Sequence, residues 1–207
     1  MTPMLITTMH GWECDMYSFA IEGINGAGKT PTSHLLVEEL EAAGLSVGTY
    51  APYHLVRSKI DLPDIFPMWN ADPKAVVDLL HQTIDEIEHD AEARGHDVLM
   101  FDRHWMTAFA QKDVRPEIPD LWGGKVVPVV LMTAPDAHTQ RLAERGYQAS
   151  WLQADELRRV AGVYEALYDE YAFRMLGKFV VESATQDLRP IARDIAAMVA
   201  RELGIVR

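Results

Sequence analysis

Cysteine is almost absent: Cys14 is alone among 207 residues. No internal disulfide can form, and the chain suits a reducing cytoplasm. Positive charge is also scarce, since 19 Lys and Arg face 31 Asp and Glu, a formal net charge of −12. That balance argues against a nucleic-acid backbone or an anionic membrane as partner. A few basic groups converging locally can still hold a small anion. No apolar run reaches the length of a membrane-spanning helix. Met1–Asp15 lacks the basic and apolar regions of a secretion signal, so residues 1–16 read as a mobile extension ahead of the first strand. Repeats, low-complexity tracts and dividing linkers are missing too, so residues 17–207 are expected to form one domain. The histidines show no metal-ligand spacing such as H-E-x-x-H, and no zinc site is expected. The acidic run Asp85–Asp90 reads as a solvated helix face.

What is present alternates between strand-like and helix-like segments, the pattern of an α/β domain with a parallel sheet. Strands are expected at Tyr17–Glu22, Leu45–Ala51, Asp97–Asp102, Val126–Met132 and Lys178–Glu182. Most are rich in Val, Ile, Leu or aromatics, as strands covered on both faces are. Helices are expected at Lys29–Ala43, Ala75–Arg94 and Pro135–Arg145, each followed by a glycine suited to a C-terminal cap. Two more are expected at about Ala154–Met175 and Leu188–Leu203. The segment Pro52–Pro73 holds four prolines with Tyr53, Phe66 and Trp69 between them. It is too long for a plain connection and reads either as a cover for a binding site or as a packed surface loop.

Gly23-Ile24-Asn25-Gly26-Ala27-Gly28-Lys29-Thr30 fits G-x-x-x-x-G-K-[ST] at every fixed position, with a hydrophobic strand before it and an amphipathic helix after it. Backbone amides of such a loop, from Asn25, Gly26, Ala27, Gly28 and Lys29, converge on a phosphate, and the helix start adds its dipole. Lys29 is expected to reach the β- and γ-phosphates of ATP, and Thr30 to offer its hydroxyl to Mg²⁺. Pro31 removes one amide donor where a typical P-loop holds the α-phosphate, a loss of about 1 kcal/mol. A GTPase would need N-K-x-D, and no Asn is followed by Lys. Asp120-Leu121-Trp122-Gly123 matches D-x-x-G without a strand before it and reads as chance.

The third strand ends in Asp102-Arg103-His104. In a doubly wound sheet a carboxylate and a guanidinium at that end face the phosphates. Asp102 can order Mg²⁺ or orient an acceptor hydroxyl, and Arg103 can neutralise charge on the transferring group.

These residues together resemble the thymidylate-kinase-like nucleoside and nucleotide kinases. The resemblance rests on Phe19–Gly23 with Asn25–Thr30, on Asp102-Arg103-His104 with Thr107, on Leu131–Pro135 with Arg141–Gly146, and on Val181–Gln186. It implies a doubly wound P-loop kinase fold, five parallel strands flanked by helices with a small lid, often dimeric. It also implies Arg141 and Arg145 near ATP, Ala184 and Thr185 against the adenine, and Lys29, Asp102 and Arg103 as the catalytic set.

Departures from that family gather at the acceptor side. Asn25 replaces an Asp near the acceptor, and Pro52 stands without its usual Arg. His81 and Asp85 occupy places of a base-stacking Phe and a phosphate-binding Arg. A like-charge contact of Asp85 with an acceptor phosphate costs about 4 kcal/mol at 4 Å and an effective dielectric near 20. Asn25, Tyr53, Arg57, His81, Arg103 and Trp105 are the candidate acceptor contacts, with Trp69 nearby. The expected activity is transfer of the γ-phosphate of ATP to a small acceptor: a nucleoside monophosphate, a related nucleoside, or a non-nucleotide hydroxyl metabolite such as a sugar or cyclitol. A nucleotide-binding module without turnover is the remaining reading.

Overall fold

The computed structural model describes residues 16–60, 68, 71–112, 126–144 and 154–205. Five parallel strands form its sheet: β1 (Tyr17–Glu22), β2 (Val47–Tyr50), β3 (Val98–Asp102), β4 (Val126–Thr133) and β5 (Gly177–Val181). Their order is β2-β3-β1-β4-β5. β1 therefore lies at the centre, paired with β3 through Tyr17↔Val98 to Ile21↔Asp102 and with β4 through Ser18↔Val126 to Glu22↔Val130. Phe19, Ala20 and Ile21 are fully buried, as are Val98, Leu99 and Phe101. Strands with apolar residues on both faces can persist only with helices on both.

Seven α-helices surround the sheet among the described residues: α1 (Lys29–Ala42), α2 (Pro52–Lys59), α3 (Pro73–Arg94), α4 (Trp105–Lys112), α5 (Pro135–Glu144), α6 (Ala154–Tyr171) and α7 (Arg189–Glu202). α1 packs along α7, α2 on α3, and α4 on α6. No helix is long and apolar enough to cross a membrane among the described residues. Residues 1–15, the expected lid at Tyr147–Trp151, Trp69, Arg145 and the Asp120–Gly123 match lie outside the described residues.

The element boundaries have local causes. β2 is shorter than its expected span, because Leu45 still donates to Leu40 O at 3.1 Å in the turn that closes α1. Gly44 makes that turn with φ 87°. At the other end Ala51 already caps α2. α2 itself was not expected, yet Pro52 occupies its first turn, where a missing N–H costs nothing. α3 starts two residues before the expected Ala75. Asp72 accepts from Ala75 N at 3.0 Å and Pro73 begins the helix, a favourable N-cap arrangement. α6 stops at Tyr171 and tightens into a 3₁₀ turn at Ala172–Arg174, short of the expected Met175. α4 is the second helix not expected.

Candidate active site

β1 delivers the chain into the phosphate-binding loop at the centre of the sheet, the place where an open α/β sheet forms its crevice. Gly23 makes the first turn with φ 141°, and a Cβ there would stand 2.3 Å from the backbone oxygen of Leu131 on β4. No side-chain rotation relieves that contact. Gly23→Ala is therefore expected to lower stability by roughly 3 kcal/mol, read as a drop in the urea midpoint. Gly28 caps α1 at φ 93°, and a Cβ there would meet Arg141 Nη1 at 2.7 Å. The first backbone bond of α1 runs from Thr32 N to Gly28 O at 3.0 Å. With proline at position 31, the first turn offers the amides of Lys29 and Thr30 alone.

Lys29 is buried and folds back on its own loop, donating to Gly23 O at 3.1 Å and Ile24 O at 3.0 Å. Across from it, β3 ends at Asp102, and Arg103 takes φ 72°. That left-handed backbone costs a bulky residue about 1–3 kcal/mol and tends to occur at functional sites. The turn aims the guanidinium back at the loop. Nη1 donates to Gly23 O at 3.1 Å and to Thr107 Oγ1 at 3.3 Å, and Nη2 donates to Asn25 Oδ1. Arg103 thereby ties the end of β3 to the loop after β1.

Between these parts lies a cleft of about 190 Å³, lined by Asn25, Gly26, Gly28, Lys29, Thr30, His54, Asp102, Arg103 and Leu142. Asp102 Oδ1 is buried there without a hydrogen-bond partner among the described residues. An orphaned carboxylate oxygen sharing a cleft with the Thr30 hydroxyl fits Mg²⁺, which takes one or two protein oxygens and fills its shell from phosphates and water. No group of three or more His, Cys, Asp or Glu side chains that could cage a metal occurs among the described residues.

On the far side of the loop, His138 on α5 is buried, and its Nε2–H donates to Asn25 O. Burial pushes its pKa down; the bond to Asn25 opposes this and the Lys29 charge adds to it. Arg141, one turn later, donates to Ser183 O and Ala184 O at 3.3 Å. It therefore bridges the loop at Gly28 to the segment holding Ala184 and the exposed Thr185.

The sequence-expected residues divide into three groups. Asn25, Gly26, Gly28, Lys29, Thr30, Asp102 and Arg103 converge on the cleft, and Ala27 is buried behind it. Trp105 and Tyr53, expected as acceptor contacts, are not among the cleft-lining residues. Trp105 is buried edge-on to Phe109 and Tyr171 at 5.5 and 5.7 Å, and buried Tyr53 donates its hydroxyl to His104 O at 2.8 Å. Both rings are spent on packing. Arg57 is exposed on α2, half-buried His81 sits on α3, and neither is among the cleft-lining residues.

Sequence reasoning missed His54, which lines the cleft from α2. It also missed the buried acid Glu22, whose pKa burial raises, against the pull of Thr107, Arg103, the His104 amide and Lys29. His104 belongs to the scaffold: it is fully buried against Phe101, with ring centroids 4.9 Å apart, and burial lowers it from 6.5 to about 3. The unfolded chain takes up this proton near pH 6.5 and the folded chain only near pH 3. The stability contribution is thus complete above pH 6.5 and lost as pH falls toward 3. Its slope reaches about 1.4 kcal/mol per pH unit. Urea unfolding at pH 7 and pH 4.5 is expected to show a smaller pH loss in His104→Gln than in the wild type.

No family model and no curated protein matches the sequence. Solved structures do match the fold. A shikimate kinase from Bacteroides thetaiotaomicron superposes with a TM-score of 0.53 at 16% identity, over 91% of this chain and 99% of that one. A shikimate kinase from Acinetobacter baumannii in complex with shikimate gives 0.51 at 17% identity, over 91% and 93%. At that identity the shared property is the fold of the P-loop kinases, with its five-stranded all-parallel sheet flanked by helices. The likeness does not single out the thymidylate-kinase branch.

Proposed function

We propose that this protein is an ATP-dependent phosphotransferase whose acceptor is a small, unphosphorylated hydroxyl compound. The observation that carries the reading is the cleft itself. It brings the loop amides, Lys29 and Thr30 to within one small volume of the Arg103 guanidinium and an Asp102 oxygen that has no partner among the described residues. Bound Mg²⁺ would draw charge from the phosphate oxygens; Thr30 and Asp102 are the residues to hold it. Lys29 neutralises charge on the β- and γ-phosphates, and Asp102 orients the acceptor hydroxyl for in-line attack. No covalent enzyme intermediate is needed, because positioning and charge stabilisation suffice.

The acceptor class follows from where the cations stand. Arg103 is the only guanidinium lining the cleft among the described residues, and it already serves Gly23 O and Asn25 Oδ1. A hydroxyl needs one carboxylate to orient it, whereas an acceptor phosphate needs cations of its own. One of the similar solved structures holds shikimate, which supports the non-nucleotide side of this choice. The second reading, a nucleoside monophosphate acceptor, draws on the Phe19–Thr30 and Asp102–His104 resemblance. An acceptor panel separates the two. Turnover of hydroxylated metabolites or nucleosides, with monophosphates inert, is the expected pattern. Turnover of monophosphates alone would overturn the acceptor class. ATP binding without turnover across the panel would instead favour a binding module.

A further inference from the structure

Glu22 closes β1, directly before the phosphate-binding loop, and has no exposed surface. Its carboxylate is fully engaged. Oε1 accepts from His104 N at 2.7 Å and Thr107 N at 3.4 Å. Oε2 accepts from Thr107 Oγ1 at 2.7 Å and from the Tyr164 hydroxyl at 3.3 Å. The Thr107 and Tyr164 hydroxyls are themselves 2.7 Å apart. The same Thr107 oxygen accepts from Arg103 Nη1, whose other contact is Gly23 O. A chain of hydrogen bonds therefore runs from the buried acid through Thr107 to the guanidinium at the cleft.

Stability alone does not explain an acid at this position. Replacing a buried charged group with a well-packed neutral one of similar volume often leaves stability unchanged or raises it. The two amides at the start of α4 compensate part of the charge, but they do not require it. Arg103, meanwhile, sits in a strained left-handed conformation that persists only when its surroundings hold it there. The group behind it, one hydroxyl away, is Glu22.

We infer that Glu22 is a positioning residue of this site: through Thr107 it fixes the Arg103 guanidinium where the transferred phosphoryl group meets the acceptor. The inference rests on the kinase reading above. Glu22 touches no substrate and acts through Arg103, so its loss lowers kcat and leaves the KM for ATP nearly unchanged. A purely structural acid that only pins α4 would lower stability and leave kcat alone.

The test uses the full chain and the variants Glu22→Gln, Thr107→Val and Thr107→Ser. The first readout is the ¹⁵N–¹H guanidinium resonance of Arg103, assigned by its disappearance in Arg103→Lys. A slowly exchanging signal is expected in the wild type and in Thr107→Ser, and its loss in Glu22→Gln and Thr107→Val. The second readout is turnover with the best acceptor of the panel. Displacing a guanidinium by about 1 Å can cost about a hundredfold in kcat. That loss is expected in Glu22→Gln and Thr107→Val, with KM for ATP within about twofold. The double variant should be no slower than the slower single one, because the two residues form one chain. Should Glu22→Gln fail to fold, the contrast of Thr107→Val with Thr107→Ser carries the same test. An unchanged Arg103 resonance in Glu22→Gln and Thr107→Val overturns the inference whatever the turnover. So does wild-type kcat in a variant that has lost the resonance. If the wild type turns over nothing, the kinase reading fails separately, and the resonance alone decides the positioning.

Discussion

Lys29→Ala is expected to reduce phosphoryl transfer by about a thousandfold in kcat, the scale on which a single pre-aimed charge-stabilising donor acts, while the chain stays folded. Two features of the loop explain why activity and folding separate. The Lys29 ammonium donates to Gly23 O and Ile24 O, but neither carbonyl depends on it. Gly23 O also receives Arg103 Nη1 at 3.1 Å, and Ile24 O receives Ala27 N at 3.2 Å. Truncation therefore leaves neither of these two carbonyls orphaned, and the stability change should stay within about 1.5 kcal/mol, the net worth of an ordinary hydrogen bond. Lys29 is the only lysine lining the cleft among the described residues. Kinetics and a thermal melt on the same sample check both halves. Turnover near the wild-type level would remove Lys29 from the chemistry.

Asp102→Asn is expected to lower kcat by about a hundredfold or more and to raise the Mg²⁺ concentration needed for half-maximal rate. Stability should hold or improve. In the folded chain Asp102 Oδ1 is buried with no partner among the described residues, and a buried acceptor left unsatisfied costs stability until a ligand answers it. The amide can turn its donor toward protein acceptors while losing the anionic oxygen best placed to hold the metal or the hydroxyl. A gain in melting temperature joined to a loss of rate is the signature of a residue kept for function. Unchanged Mg²⁺ dependence, with kcat within threefold of wild type, would remove Asp102 from the metal and acceptor roles.

The parts of the site that were legible from sequence are those encoded locally. The loop from Gly23 to Thr30 announces itself because tight turns need glycine at fixed spacing, and Lys29 and Thr30 follow them where an apolar strand hands over to a helix. Asp102 and Arg103 were legible because a polar pair at the end of an apolar strand has one place to go in a parallel sheet. The aromatic residues were not legible in the same way. Trp105 and Tyr53 read as pocket walls, yet Trp105 packs on Phe109 and Tyr171, a contact set by how α4 meets α6. α2 was missed because Pro52 looks like a breaker when it is in fact a helix start. Glu22 stood in plain view inside the opening motif, but its partners Thr107 and Tyr164 lie 85 and 142 residues away. No local pattern reveals a network of that span.

The central claim is that the cleft transfers phosphate from ATP to a hydroxyl. The most direct measurement incubates the wild type and Lys29→Ala with Mg²⁺, γ-labelled ATP and the acceptor panel, and follows the label. The account predicts a labelled phosphoester of an unphosphorylated hydroxyl compound with the wild type and none with Lys29→Ala. Label that stays on ATP across the whole panel, or a product formed equally by both proteins, would contradict it.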